Sequence, residues 1–212
     1  MAHTPDPVRT VGRAGGICWD REEKENYGGF VKRLIRAGHE SVIEHASFTF
    51  RVEGVSRVLT HQWVRHRLFS YSQRSQRYVK EREPEYIMPP LEYLKGVSAG
   101  EAKALFQRAM EDAWELYNEL LKLGVKGEDA RFVLPNACET KIVVTANARE
   151  LRHFFRLRMD RHAQWEIRQL ACRMYDLVME VAPPLFEDLR ELRNSCKNGM
   201  SNEPESESQE SL

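Results

Sequence analysis

Several polar side chains stand where helical spacing calls for apolar ones. Over residues 147–159, Leu151, Phe154 and Phe155 define an apolar face at 100° per residue. Arg158 falls in the middle of that face, while Arg149, Arg152 and Arg156 cluster to one side. A guanidinium turned inward needs a partner, because burying it unpaired is costly. That partner must be anionic or a carbonyl, supplied by a structural Asp or Glu or by a ligand. Over 56–67, Val55, Val58 and Leu59 set the face, and Gln62 and His66 continue it with Arg65 at its edge. Polar groups converging on an apolar stripe mark a pocket.

Arginine outnumbers lysine 23 to 9, and its distribution matters more than the zero net charge. Between Arg51 and Arg82 eight basic residues face two acids, and from Arg149 to Arg173 seven arginines face three. Planar guanidinium groups suit bidentate contact with phosphate or carboxylate. For any one arginine a solvated, salt-bridged face is the default reading. Two basic islands in a neutral chain point instead to a discrete anionic ligand, and against a generic polyanion binder.

Other chemistries have less support. The histidines at 39, 45, 61, 66, 153 and 162 show no H-E-x-x-H spacing, so no metal site is expected. Cys18, Cys138, Cys172 and Cys196 form no C-x-x-C pair, which argues against a disulfide framework and for a reducing cytoplasm. Ser75 as a nucleophile would need an adjacent base that spacing does not supply. Interleaved Arg, Tyr and Phe from Arg65 to Tyr78 could stack bases and hold phosphates, as single-strand binding surfaces do, but the neutral balance and inward Arg158 oppose this.

The elements that must position these residues follow from pattern. With 212 residues and 42% apolar content, the chain can form one compact domain, placed at 1–194. No apolar run approaches the ~20 residues of a membrane span, and residues 1–10 lack a signal-peptide core. Residues 1–18, rich in Pro, Gly and Arg, read as loop with a short strand. Asp20 and Glu23 have capping-box spacing ahead of a helix carrying Tyr27, Phe30, Val31, Leu34 and Ile35, with Gly38 as its stop. Phe48, Phe50 and Val52 alternate as a half-buried strand, and Ser56 caps a helix to about Arg67. Residues 69–90 read as irregular.

Ser98 and Glu101 open a long helix with the stripe Ala102, Leu105, Phe106, Ala109, Ala113, Leu116, Tyr117 and Leu120, ended by Gly124. A short helix covers 128–134, and Thr140–Thr145 reads as a buried strand. Asn147 caps the next helix, and another runs from about His162 to Val181 with Ile167, Leu170, Ala171, Met174, Val178 and Val181 inward. Residues 195–212 have almost nothing to bury and are expected to be a disordered acidic tail.

The stretch Arg65-His66-Arg67, then Ser70, Ser75 and Arg77, resembles the RHRxxS…SxR signature of the flavin-dependent thymidylate synthases. Gly38-His39-Glu40-Ser41 with Glu44-His45 resembles a second segment of that family. Ala130-Arg131 with Val133-Leu134-Pro135 resembles a third. Asn147-Ala148-Arg149, Leu157-Arg158 and His162-Ala163-Gln164-Trp165-Glu166 resemble a fourth. These segments span roughly Cys18 to Pro184 in the family's order. Ser72 and Gln73 depart from the Asn and Glu of many relatives, leaving one fewer negative charge near the pyrimidine.

The resemblance implies an α/β (α+β) fold with a sheet packed by predominantly long helices. It implies a homotetramer with shared active sites, and no nucleic-acid or membrane partner. The implied enzyme is an FAD-dependent methyltransferase making dTMP from dUMP, with methylenetetrahydrofolate as carbon donor and NADPH as reductant. Ser41, Arg65, His66, Arg67, Gln73, Asn147, Arg149 and His153 fall at flavin-contacting positions. Gln62, Arg65, Gln73, Arg74, Ser75, Gln76, Arg77, Arg131 and Arg158 fall at dUMP-holding positions. Arg158 is the expected activator of the uracil ring, and no cysteine nucleophile is expected.

Overall fold

The computed structural model describes residues 1–18, 20, 26–81, 83, 85–91, 93, 94 and 98–198. The architecture is α+β, predominantly helical, with a four-stranded sheet of order β1-β2-β4-β3. Its strands are β1 (Ala2–His3), β2 (Ser47–Ser56), β3 (Ser70–Gln73) and β4 (Glu139–Asn147). β1 runs antiparallel to β2, with Ala2 opposite Thr49 and His3 opposite Phe48. A hydroxyl pair, Thr49 Oγ1 to Thr145 Oγ1 at 2.9 Å, links β2 to β4. β4 buries Thr140, Ile142, Val144 and Ala146 and turns Lys141 and Val143 outward. It is therefore buried on one face only, although its β-branched run suggested both. The strand β3 replaces part of the irregular stretch expected over 69–90.

The residues group into two compact units. One holds Met1–Arg51, Gln62–Ser72 and the chain from Val143 onward; the other holds Val52–His61 and Gln73–Ile142. β2, β3 and β4 each contribute residues to both.

In the first unit, α1 (Pro7–Ile17) occupies most of the expected N-terminal loop. Asp6 caps it by accepting from Arg9 N, and Pro7 fits the first turn, where its missing N–H costs nothing. Three glycines disguised this helix, and packing explains them. A Cβ on Gly12 would sit 2.2 Å from Tyr27 Cδ1, and one on Gly15 would sit 2.6 Å from Leu34 Cδ1. The glycines let α1 lie directly against α2 (Tyr27–Arg36). The cap of α2 is Asn26, accepting from Gly29 N at 2.8 Å, rather than Asp20. Asp20 instead takes a left-handed backbone at φ 52°, and Glu23 lies outside the described residues.

Beyond a 3-10 segment, Glu40–His45, this unit contains α6 (Ala148–Arg158), α7 (Trp165–Val181), α8 (Pro183–Phe186) and α9 (Arg190–Asn198). The cap expected at Asn147 forms: it accepts from Glu150 N at 2.9 Å. α7 starts at Trp165, three residues late, because Gln164 accepts from the Glu166 and Ile167 amides. Of its expected inward residues, Ile167, Leu170, Ala171, Met174 and Val178 are buried, while Val181, the last residue of the helix, is only half-buried. Edge-to-face rings fill the core, with Phe186 against Phe48 and Phe155, and Phe155 against Tyr175. A disulfide joins Cys172 of α7 to Cys196 of α9, correcting the expectation drawn from scattered cysteines that no disulfide would form. It sits inside a helix that runs four residues into the expected tail; residues 199–212 lie outside the described set.

In the second unit, α3 (Arg57–Trp63) begins and is capped by Ser56, whose Oγ accepts from Leu59 N at 3.1 Å. It ends at Trp63, so His66 lies past the helix. Ser98 likewise caps α4 (Ala99–Lys122) through Glu101 N at 3.3 Å, and Gly124 follows its end at φ 90°. The buried row of α4 is Met110, Trp114 and Tyr117, of which Met110 and Trp114 pack with Cys138, while Leu105, Leu116 and Leu123 stay exposed. The expected stripe thus merged two faces of one helix. α5 (Gly127–Ala130) and a 3-10 turn, Arg131–Val133, complete the unit.

Candidate active site

The first unit gathers one candidate set along α6. Asn147 caps its N-terminus, and Arg149 Nη1 donates to Glu44 Oε1 at 2.6 Å, tying the helix to the 3-10 segment that presents Ser41. Ala148 N donates to Ala46 O at 2.8 Å across the same junction. His153 is exposed, with its ring 6.0 Å from that of His66.

α6 corrects the sequence reading of its arginines. The fully buried one is Arg152, 1% exposed, although helical spacing puts it with Arg149 and Arg156 to one side of the apolar face. Its guanidinium makes a bidentate pair with Asp188 at 2.6 Å and also donates to Leu185 O at 2.6 Å. Burial alone would push the Asp188 carboxyl up, but the Arg152 contact outweighs it and holds it low. Arg158 is only half-buried, and its Nε donates to His66 Nε2 at 3.0 Å. Its partner within the chain is thus an imidazole nitrogen, not the acid or carbonyl that burial of a guanidinium suggests.

His66 is held in a ring cage. Phe154 and Phe69 meet it edge-on at 5.1 and 6.0 Å, and Trp63 stacks on Phe154 at 5.7 Å. Tyr71 Oη donates to Trp63 O and His66 O at 2.6 and 2.9 Å, fixing the turn after α3. Burial, then the charges of Arg158 and His153, lowers the His66 pKa to about 4. At neutral pH the ring is uncharged and Nε2 accepts. Glu150 Oε1 faces the other ring nitrogen, Nδ1, at 3.7 Å. Burial raises the Glu150 pKa, with His153 opposing. Gln62 is half-buried, while Arg65 and Arg67 are exposed with no ion-pair partner among the described residues.

The second unit holds the remaining candidates: Gln73, Arg74, Ser75, Gln76, Arg77 and Arg131. Gln73 Nε2 donates to Thr60 and Thr140 hydroxyls, each at 3.2 Å. Arg74 pairs with Glu81 and, at 3.4 Å, with Glu85. Arg77 reaches Glu128 Oε2 at 3.3 Å, and Arg131 Nε donates to Glu128 O at 3.0 Å. Glu128 thus meets two of the arginines expected to hold dUMP, Arg77 through its carboxylate and Arg131 through its backbone carbonyl. Ser75 Oγ accepts from Arg77 N at 3.2 Å, and no histidine contacts it among the described residues. Gln76 is buried with Nε2 unpartnered among the described residues. Tyr78 stands 81% exposed, with Arg77 5.6 Å from its ring centre. Burial pushes the Cys138 thiol up to about 11, so it stays protonated and a poor nucleophile at neutral pH.

Sequence reasoning missed Glu81, Glu128, Tyr71 and Glu150. For Glu150 a signal existed: Glu150, Phe154 and Arg158 lie four apart, on one row of α6. Its capping-box position drew attention to its backbone instead.

A family described as thymidylate synthase complementing protein matches residues 1–184. The chain is similar to a flavin-dependent thymidylate synthase of Geobacter sulfurreducens, 48% identical over 89% of this chain and 84% of that one. It is similar to proteins of the same name from Clostridium tetani (44% identical, 94% and 87% covered) and Pyrococcus abyssi (41% identical, 93% and 82% covered). No described helix is long and apolar enough to cross a membrane.

Proposed function

The chain belongs to the thymidylate synthase complementing protein family, and from that premise we propose that it is a flavin-dependent thymidylate synthase. In this reading it converts dUMP to dTMP, with methylenetetrahydrofolate as carbon donor, FAD as hydride carrier and NADPH as reductant. The observation that carries the reading is the identity of 41–48% with relatives of that name, each over most of both chains.

The residues present suit the flavin by donor chemistry. Arg65 and Arg67 are unspent guanidiniums, and Asn147 and Arg149 stand at a helix N-terminus, where the dipole favours an anion. Ser41, Arg65, His66, Arg67, Gln73, Asn147, Arg149 and His153 would hold FAD. When bound, the flavin supplies hydride transfer. Gln62, Arg65, Arg158, Gln73 to Arg77 and Arg131 would hold dUMP, whose phosphate competes with Glu128 and Glu81 for the arginines.

Arg158 carries the protein's share of the chemistry. A fixed guanidinium beside the uracil ring stabilises negative charge on it and makes C5 nucleophilic toward a methylene electrophile. His66, neutral and caged by rings, accepts from Arg158 Nε and leaves its terminal nitrogens free to donate. The reaction then needs no enzyme nucleophile. Exposed Leu105, Leu116 and Leu123 on and just past α4 support self-association into the homotetramer. Anaerobic mixing with dUMP, methylenetetrahydrofolate and NADPH should yield dTMP by chromatography, from a yellow protein. A colourless protein that forms none would overturn the proposal.

A further inference from the structure

We propose that Glu150 is a positioning residue that fixes His66 as its Nδ1–H tautomer, leaving Nε2 as the acceptor that aims Arg158. The inference rests on the reading that Arg158 serves the pyrimidine.

The argument starts from proton positions. An arginine Nε always carries its hydrogen, so the bond from Arg158 Nε at 3.0 Å requires a lone pair on His66 Nε2. A neutral imidazole has one proton, and here it must sit on Nδ1. The group facing Nδ1 is Glu150 Oε1, with both side chains buried. At 3.7 Å the contact exceeds a hydrogen bond, so the carboxylate acts by its charge on the N–H dipole, strengthened by the apolar cage. His66 thereby has opposed neighbours: an acid behind it and a cation in front.

The other charged or titratable groups near this row are His153 and Tyr71. The Tyr71 hydroxyl donates to backbone carbonyls, and His153 is exposed, so neither supplies a buried carboxylate for Nδ1. Replacing Glu150 by Gln keeps the volume but offers an N–H in place of the charge. That favours the opposite tautomer, whose Nε2–H cannot accept from Arg158.

The test is the ¹⁵N NMR spectrum of the His66 ring in the purified protein, together with steady-state dTMP formation. Wild type should show a protonated Nδ1 and a bare Nε2. Glu150→Gln should shift population to the Nε2–H form, speed exchange of the Arg158 Nε hydrogen, and lower kcat about tenfold with little change in KM for dUMP. Glu150→Asp, which restores the charge, should recover much of the Nδ1–H form. A protonated Nε2 in wild type, or an unchanged tautomer in Glu150→Gln, overturns the proposal. If Glu150→Gln does not fold, the wild-type and Glu150→Asp spectra decide: loss of the Nδ1–H form despite the retained charge refutes it. The ring spectrum needs no substrate. A wild type with the expected tautomer that makes no dTMP would sink the functional reading and leave the positioning role standing.

Discussion

Acidification should destabilise the fold through His66 in a window set by its cage. The ring's pKa falls from 6.5 in an unfolded chain to about 4 in place, chiefly by burial and then by the charges of Arg158 and His153. Above pH 6.5 the ring is neutral in both states and has no effect. Below it the unfolded chain binds a proton that the folded chain refuses, so stability falls with pH until about 4, where both are protonated. The difference of about 2.5 units corresponds to roughly 3 kcal/mol at the bottom of the window, and to about 2 kcal/mol at pH 5. Urea midpoints at pH 7.5 and pH 5 measure this. The control is His66→Gln, whose amide oxygen can still accept from Arg158 but does not titrate. Subtracting its pH response removes the shared contributions of the other acids. Wild type should lose about 2 kcal/mol more than the variant over that interval. Parallel curves would mean that the ring is not shielded from water, and the neutral acceptor role would go with it.

Three other outcomes follow from the geometry. Arg158→Ala should abolish dTMP formation in a protein with an unchanged circular dichroism spectrum, and near-normal turnover would remove its central role. Asp188→Ala removes the bidentate partner of the buried Arg152 guanidinium, leaving it Leu185 O and the longer Glu40 contact at 3.7 Å, and should cost about 2 kcal/mol in urea unfolding, a buried-pair loss discounted for the half-exposed aspartate. Gly12→Ala, normally favourable in a helix, should instead cost about 1–3 kcal/mol by driving a methyl into Tyr27, and a gain in melting temperature would contradict the α1–α2 packing.

Local signals read well where the partner is also local. Ser56, Ser98 and Asn147 cap the helices assigned to them because each hydroxyl or amide meets an amide three residues on. Inward residues of α7 follow their own periodicity. The arginines of α6 do not, because their fate depends on Asp188, 36 residues later, and on His66, 92 residues earlier. Periodicity within one helix cannot weigh such partners. α4 misled for another reason: it carries apolar residues on two sides, and only packing against Cys138 shows which is inside. The Arg/Ser/Gln run from Arg65 to Arg77 was legible as a motif, whereas Glu81 and Glu128, which organise its arginines, belong to no recognisable spacing.

The bare glycine side of α1 also limits how the protein can be trimmed. A shortened version starting after Ile17 would look harmless by composition, since it discards a stretch poor in large apolar residues. It would in fact uncover Tyr27, Phe30 and Leu34 together, the greasy ribbon that those glycines shelter. Such a fragment should clump during expression, so the opening helix must be kept in any minimal form.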